Sequence, residues 1–207
     1  MMARSGSPIP SCKMMRLVLP LVLALSAGEA QAQTLAEAKC TGKPDVPWVE
    51  QIAGCSKAIE SGQFAGKELA KAFTARAYCY AQVRDIDRSL ADLDQAIALD
   101  PGNAFAIGGR GDMYLVKKDY AHAIAAYTAA IAIEPDNAPA FTGRAMAYYL
   151  SNDADHAIAD SDQAIRLQPA YASALYWRGL AKRLKGDAAA GEADIAAARK
   201  IDPDVDR

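Results

Sequence analysis

Two histidines, His122 and His156, stand 34 residues apart. A metal site would need further ligands converging on them in a closed geometry. The spacing provides none, so both are read as solvent-exposed and no metal or cofactor is expected. Carboxylates also come in pairs, Asp92 with Asp94 and Asp160 with Asp162. Paired carboxylates can divide general-acid and general-base roles between them, but these recur in step with the helix pattern, which marks them as scaffold. There is no Gly-x-Ser-x-Gly elbow, no His-Glu-x-x-His and no phosphate-cradling glycine loop. Gly108-Gly109 lies inside a helix-period segment, where it opens a face instead of holding phosphate. No Cys-x-x-Cys occurs among Cys12, Cys40, Cys55 and Cys79, so a thiol redox centre is not indicated. An enzyme is not expected from these residues.

The elements that carry them repeat. Pro101, Pro135, Pro169 and Pro203 are spaced by 34 residues, as are Arg76, Arg110, Arg144 and Arg178. Ala96, Ala130, Ala164 and Ala198 keep the same step, and so do Asp85, Asp119, Asp153 and Asp187. Each proline follows a helix-period segment that it cannot continue. Each aspartate stands between two such segments, where its carboxylate can cap the second helix. Small residues recur where two helices must approach closely: Ala77, Gly111, Ala145 and Gly179 on the first helix, the alanine ladder on the second. A unit of helix, tight turn, helix cannot bury its own apolar face, so the units must stack. The expected helices are 70–83 and 86–98, 104–117 and 120–132, 138–151 and 154–166, then 172–185 and 188–200. Ahead of them residues 48–61 read as a helix that caps the stack.

The four units resemble the tetratricopeptide-repeat (TPR) family. A large apolar residue, then a two-residue step ending in a small residue, then tyrosine appears as Phe73, Arg76-Ala77, Tyr80 and again as Ile107, Arg110-Gly111, Tyr114. It continues as Phe141, Arg144-Ala145, Tyr148 and as Leu175, Arg178-Gly179, where Lys182 replaces the tyrosine. Arginine stands where leucine is usual, a variant that looks bacterial, and the fourth repeat is degenerate, with Gly191 at a position normally alanine. The resemblance implies an all-α, right-handed solenoid: lead-in and capping helix over 33–69, then repeats over 70–103, 104–137, 138–171 and 172–207. It also implies a concave groove lined by the first helix of each pair. Carried over by position, that groove includes Tyr78, Phe105, Asp112, Met146, Tyr149, Tyr176 and Leu180. The lysines and asparagines with which TPR adaptors clamp a terminal carboxylate are missing, because Thr74, Gly108, Thr142 and Tyr176 stand in those places. An apolar and aromatic groove suits a partner helix or extended segment, although the same residues could instead pack between repeats.

A guanidinium between helices is costly unless paired. Asp92, Asp160 and Asp194 share one position on the second helices, with Ala126 in the second repeat. Ion pairs from Arg76, Arg144 and Arg178 to these aspartates are expected. The functional alternative is an arginine ladder that reads an acidic ligand.

Residues 1–32 read as a signal peptide. Arg4, Lys13 and Arg16 precede an apolar run over 17–27, and Ala30-Gln31-Ala32 offers a cleavage site. Met14 or Met15 would give a more compact start. Without this segment 20 basic and 24 acidic residues remain, a net charge of −4. That balance excludes a general nucleic-acid binder, and no other segment could span a bilayer, so no membrane insertion of the mature form is expected. The expected location is periplasmic or secreted, where disulfides persist. Three cysteines remain and cannot all pair within one chain. Cys40 and Cys55 flank the start of the capping helix, and related exported TPR proteins resemble this chain in sharing the pair. A bridge there is the expectation, with Cys79 left as a small buried residue. Read as a whole, the sequence describes a non-enzymatic module that binds a protein or peptide. One alternative is a periplasmic assembly factor or chaperone for an envelope complex. Another is a regulatory partner of an exported hydrolase, or a cryptic enzyme. The outer face of the last repeat could also serve a homodimer.

Overall fold

The computed structural model describes Cys40 and residues 46–206. The expected leader and most of the lead-in lie outside the described residues. Among those residues every regular element is a helix, and the all-α expectation holds. A single helix, α1 (Trp48–Glu60), precedes four antiparallel pairs: α2 (Gly66–Gln82) with α3 (Ile86–Leu99), α4 (Ala104–Val116) with α5 (Tyr120–Ile133), α6 (Ala138–Leu150) with α7 (Ala154–Leu167), and α8 (Ala172–Leu184) with α9 (Ala188–Ile201). Each helix packs on its neighbours in sequence, and each first helix also touches the first helix of the next pair. The first helices α2, α4, α6 and α8 therefore line one face of the stack.

The turn inside each pair is built the same way four times. The chain leaves the first helix through a left-handed residue: Arg84 at φ 60°, Lys118 at 61°, Asn152 at 67° and Gly186 at 98°. In the first pair the Arg84 amide donates to the Ala81 carbonyl at 3.0 Å and the Asp85 amide to the Tyr80 carbonyl at 2.9 Å. This is the Schellman arrangement, which satisfies carbonyls that the helix end leaves open. The next residue, the aspartate of the ladder, then caps the second helix. Asp85, Asp119, Asp153 and Asp187 accept from Arg88, His122, His156 and Ala190 amides at 3.1–3.2 Å. One residue thus closes one helix and opens the next. The first helices have caps that the sequence reading missed: Asn103 accepts from Ala106 and Asn137 from Ala140. Tyr171 holds that place before α8 and makes no side-chain cap.

Small residues set how closely the helices of a pair approach. In the first pair Ala77 faces Ser89, whose hydroxyl donates to the Ala77 carbonyl at 2.9 Å. In the fourth, a Cβ placed on Gly191 would lie 2.6 Å from the Gly179 carbonyl, and one on Gly179 would lie 2.7 Å from the Gly191 carbonyl. The glycine that looked like degeneration is what lets α8 and α9 pack this tightly.

At the amino-terminal end Cys40 and Cys55 form a disulfide, with Cα atoms 4.7 Å apart. Cys79 is free and fully buried, and burial pushes its thiol up from the ordinary range. Gln51 is also fully buried and donates from Nε2 to the Val46 carbonyl. Trp48 meets Tyr78 edge to face at 5.8 Å. The Trp48–Tyr78 contact, with a hydrogen bond from Arg76 to the Ser56 hydroxyl at 2.9 Å, holds α1 against α2, where it covers the open face of the first pair.

The arginine ladder is paired as expected, and in a second direction as well. Arg76, Arg144 and Arg178 each place Nε and Nη2 on both oxygens of Asp92, Asp160 and Asp194, all within 2.8 Å. The remaining guanidinium nitrogen reaches back to the preceding pair: Arg178 to Asp162 at 2.7 Å, Arg144 to Thr128 at 2.9 Å, and Arg110 to Asp94 at 3.3 Å. The carboxylate pairs are therefore scaffold in a definite sense. The first member holds its own repeat's arginine and the second holds the next repeat's. For Arg76, Arg144 and Arg178 the reading as receptors for an acidic ligand loses its basis, since their donors are already engaged.

Candidate functional site

Repeat 2, α4 and α5, breaks the pattern at three positions. Ala126 stands where the other repeats have aspartate, and the buried Nε of Arg110 has no hydrogen-bond partner. Tyr127 occupies a position that is Leu93, Ser161 and Ile195 elsewhere. Asp112 occupies a first-helix position that is Tyr78, Met146 and Leu180 elsewhere.

Tyr127 is 2% exposed, and its ring fills space that glycine leaves. A Cβ on Gly111 would fall 2.9 Å from the ring, and one on Gly143 would fall 2.5 Å from it. Its hydroxyl donates to Asp112 Oδ1 at 2.5 Å. Burial, with the Asp112 charge beside it, raises the Tyr127 phenol far above its ordinary range. Asp112 is exposed to solvent at the first-helix face. Neighbouring protein that displaces water around it pushes its carboxyl up from the usual range, while the Tyr127 hydrogen bond acts in the opposite sense. Tyr171, half-buried nearby, is also raised, by burial and then by the Asp112 charge.

Asp112 and Tyr127 sit at the wall of a cavity of about 260 Å³ on the first-helix face. Thr74, Tyr78, Phe105, Gly108 and Gly109 line it with them. A Cβ on Gly108 would meet nothing within 4 Å, whereas one on Gly109 would lie 3.5 Å from Leu93, so of the two glycines it is Gly108 that faces open space. Phe105 is 70% exposed. A shallower concavity continues past Tyr78 and Phe105 towards Lys71, Asp100 and Glu134.

Of the residues carried over to the groove, Tyr78, Phe105 and Asp112 line this cavity. Met146, Tyr149, Tyr176 and Leu180 do not. They lie further along the stack, half-buried, where Trp177 contacts Tyr149 at 5.6 Å and Tyr176 at 5.5 Å. Tyr127 escaped the sequence reading. Its signal was a large residue in a column of smaller ones, matched by glycine at both Gly111 and Gly143.

The histidines are surface groups. Each Nδ1 lies 2.7 Å from its capping aspartate, Asp119 or Asp153. Each ring stacks on a tyrosine, Tyr114 at 5.1 Å or Tyr148 at 4.9 Å. Among the described residues no helix is long and apolar enough to cross a membrane.

A stack of helix pairs with a groove on its first-helix face is a helical-repeat scaffold of the kind that binds other proteins. Models of the tetratricopeptide repeat match residues 70–103 and 142–206, and a model described as TPR repeat matches 111–152. Together they cover more than half of the chain, which belongs to the tetratricopeptide-repeat family. No curated protein matches the sequence. Among solved structures, a crystal structure of MamA is similar at 19% identity, covering 76% of this chain and 90% of that one, with a TM-score of 0.66. A second MamA structure gives 18% identity, 85% and 93% coverage, and a TM-score of 0.69. The first TPR of Spaghetti (RPAP3), bound to the HSP90 peptide SRMEEVD, gives 19% identity, 58% and 97% coverage, and 0.56. At these identities the likeness is one of fold.

Proposed function

We propose that this chain is a non-enzymatic module that binds a protein or peptide segment along its first-helix groove. The observation that carries the reading is the cavity at repeats 1 and 2, where an exposed Phe105 stands beside Tyr78 over a glycine-opened floor. Large aromatic side chains held exposed at a concavity are the usual anchors of an interface. The peptide-bound TPR structure supports a groove of this fold as a peptide site. This chain does not repeat the carboxylate clamp, given Thr74, Gly108, Thr142 and Tyr176 in the corresponding places. Tyr149, Tyr176 and Leu180 extend the same surface towards the later repeats.

The module is proposed to act after export, in the periplasm or outside the cell. The leader-like segment over 1–32 supports this, as does a disulfide suited to an oxidising compartment. Peptide mapping of the natural protein should find an amino terminus at Gln33.

Panning a displayed random octapeptide library against the mature chain tests the groove. Selected peptides should lose binding to the Tyr78→Ala, Phe105→Ala double variant and weaken against Tyr149→Ala, Tyr176→Ala. Circular dichroism controls for folding. Unchanged binding to both variants, with helicity intact, would overturn the reading.

A further inference from the structure

Resting on that groove reading, we propose that the repeat-2 cavity receives a basic side chain, lysine or arginine, from the partner segment, with Asp112 as its counter-charge. Three observations carry this. Asp112 is the only charged residue on the cavity wall, and no ion pair among the described residues includes it. Its hydrogen bond comes from the neutral hydroxyl of Tyr127, so its negative charge is unmatched.

Three other polar side chains on the wall already have partners. Thr74 donates to the Ala70 carbonyl, Ser89 to the Ala77 carbonyl, and Asn137 accepts from the Ala140 amide while donating to Glu134. The unmatched charge on this wall is thus that of one carboxylate, and the group that best completes it is a cationic donor.

The surroundings point the same way. Tyr78 and Phe105 offer aromatic faces, which attract cations through the ring quadrupole. The adjoining concavity holds two carboxylates, Asp100 and Glu134, against one lysine, Lys71; Lys71 is paired with Glu68 at 2.6 Å, and Asp100 lies 3.9 Å from Lys67. Of the four equivalent first-helix positions, only that of repeat 2 holds a carboxylate, and it does so in the repeat that lacks the structural aspartate at 126. An ion pair in a partly enclosed site is also worth more than one in open water.

The test uses the same octapeptide panning. Peptides selected by the wild-type chain should be enriched in lysine or arginine at one position with apolar residues beside it. The strongest clone, resynthesised, should bind about thirtyfold more weakly or worse when that basic residue is replaced by norleucine. Asp112→Asn should produce a similar loss, although its amide oxygen still accepts from Tyr127. Asp112→Leu, which copies Leu180 of the fourth repeat, should do the same with helicity unchanged. Peptides that bind and depend on Phe105, yet show no basic enrichment or are indifferent to Asp112→Asn, would overturn this inference and leave the groove standing. A library that yields no binder would overturn both.

Discussion

A guanidinium between two helices carries information only through the atoms it meets. Arg144 is 17% exposed and Asp160 11%, and both carboxylate oxygens are used. Asp160→Ala leaves the cation without its partner and should cost about 3 kcal/mol, the lower end for a broken buried pair, because Thr128 still accepts one nitrogen. Urea unfolding measures it. Ala126→Asp should act in the opposite direction, by about 1 kcal/mol, because it gives the orphaned Arg110 Nε an acceptor. No gain in midpoint would show that Tyr127 has already claimed that space. The acid limb of stability is set by carboxylates too. Burial opposes ionisation of Asp194, but hydrogen bonds from Arg178 and Lys182 outweigh it and hold the carboxyl below its usual range. Backbone amides do the same for Asp85, Asp119 and Asp153. Depressed carboxyls add stability above the unfolded-state value near about pH 4, and that stability disappears as pH falls through the folded values. The urea midpoint should therefore hold between neutrality and mild acid and drop steeply below. The arginine partners were legible in the sequence because they keep a fixed offset within one repeat. The back-reaching contacts to Asp94, Thr128 and Asp162 were not, since they exist only once one repeat lies on another.

At the scale of the element, the turn inside each pair concentrates strain in one residue. Lys118 and Arg84 adopt a left-handed conformation that costs a side chain roughly 1–2 kcal/mol and costs glycine almost nothing. Gly186 shows what the fourth repeat does with the same position. Lys118→Gly should accordingly stabilise the chain by about 1 kcal/mol, and Asn152→Gly by less, since asparagine tolerates this region. Thermal melts of the two variants rank the effect, and a lower melting temperature for Lys118→Gly would contradict it. Helix limits followed from the 34-residue period almost everywhere, because proline and aspartate recur at each boundary. The exception is α2, which begins at Gly66 and not at residue 70. No proline-led linker precedes it, so the period had no marker there, and the four extra residues are added from the α1 side. The groove was legible only as a face. Which part of it encloses space depends on Tyr127 entering the gap left by Gly111 and Gly143, an event across three helices.

At the scale of the molecule, the two ends of the stack differ. Repeats contact only their neighbours, so stability is close to a sum of local and nearest-neighbour contributions. At one end α1 covers the first pair and is tied to Cys40 by a bridge over 15 residues, worth about 3 kcal/mol in the chain-entropy picture. At the other, α9 is the last described helix, with Leu184 and Ile201 43% and 47% exposed near it. Amide hydrogen exchange should therefore be fastest in α9 and slow progressively towards α3. Reduction of the bridge should accelerate exchange in α1 and α2 while leaving α8 and α9 as they were. Uniform protection from end to end would contradict the nearest-neighbour account.

That bridge also fixes an order of loss. Among the described helices the α1 side is the braced one, so the coil comes apart like a zipper from the α9 side, shedding the fourth repeat, then the third. The cavity between Tyr78, Phe105 and Asp112 sits beside the fastened end, so it is the last concave surface to go. A partner seated there would keep its hold on a chain already half unwound.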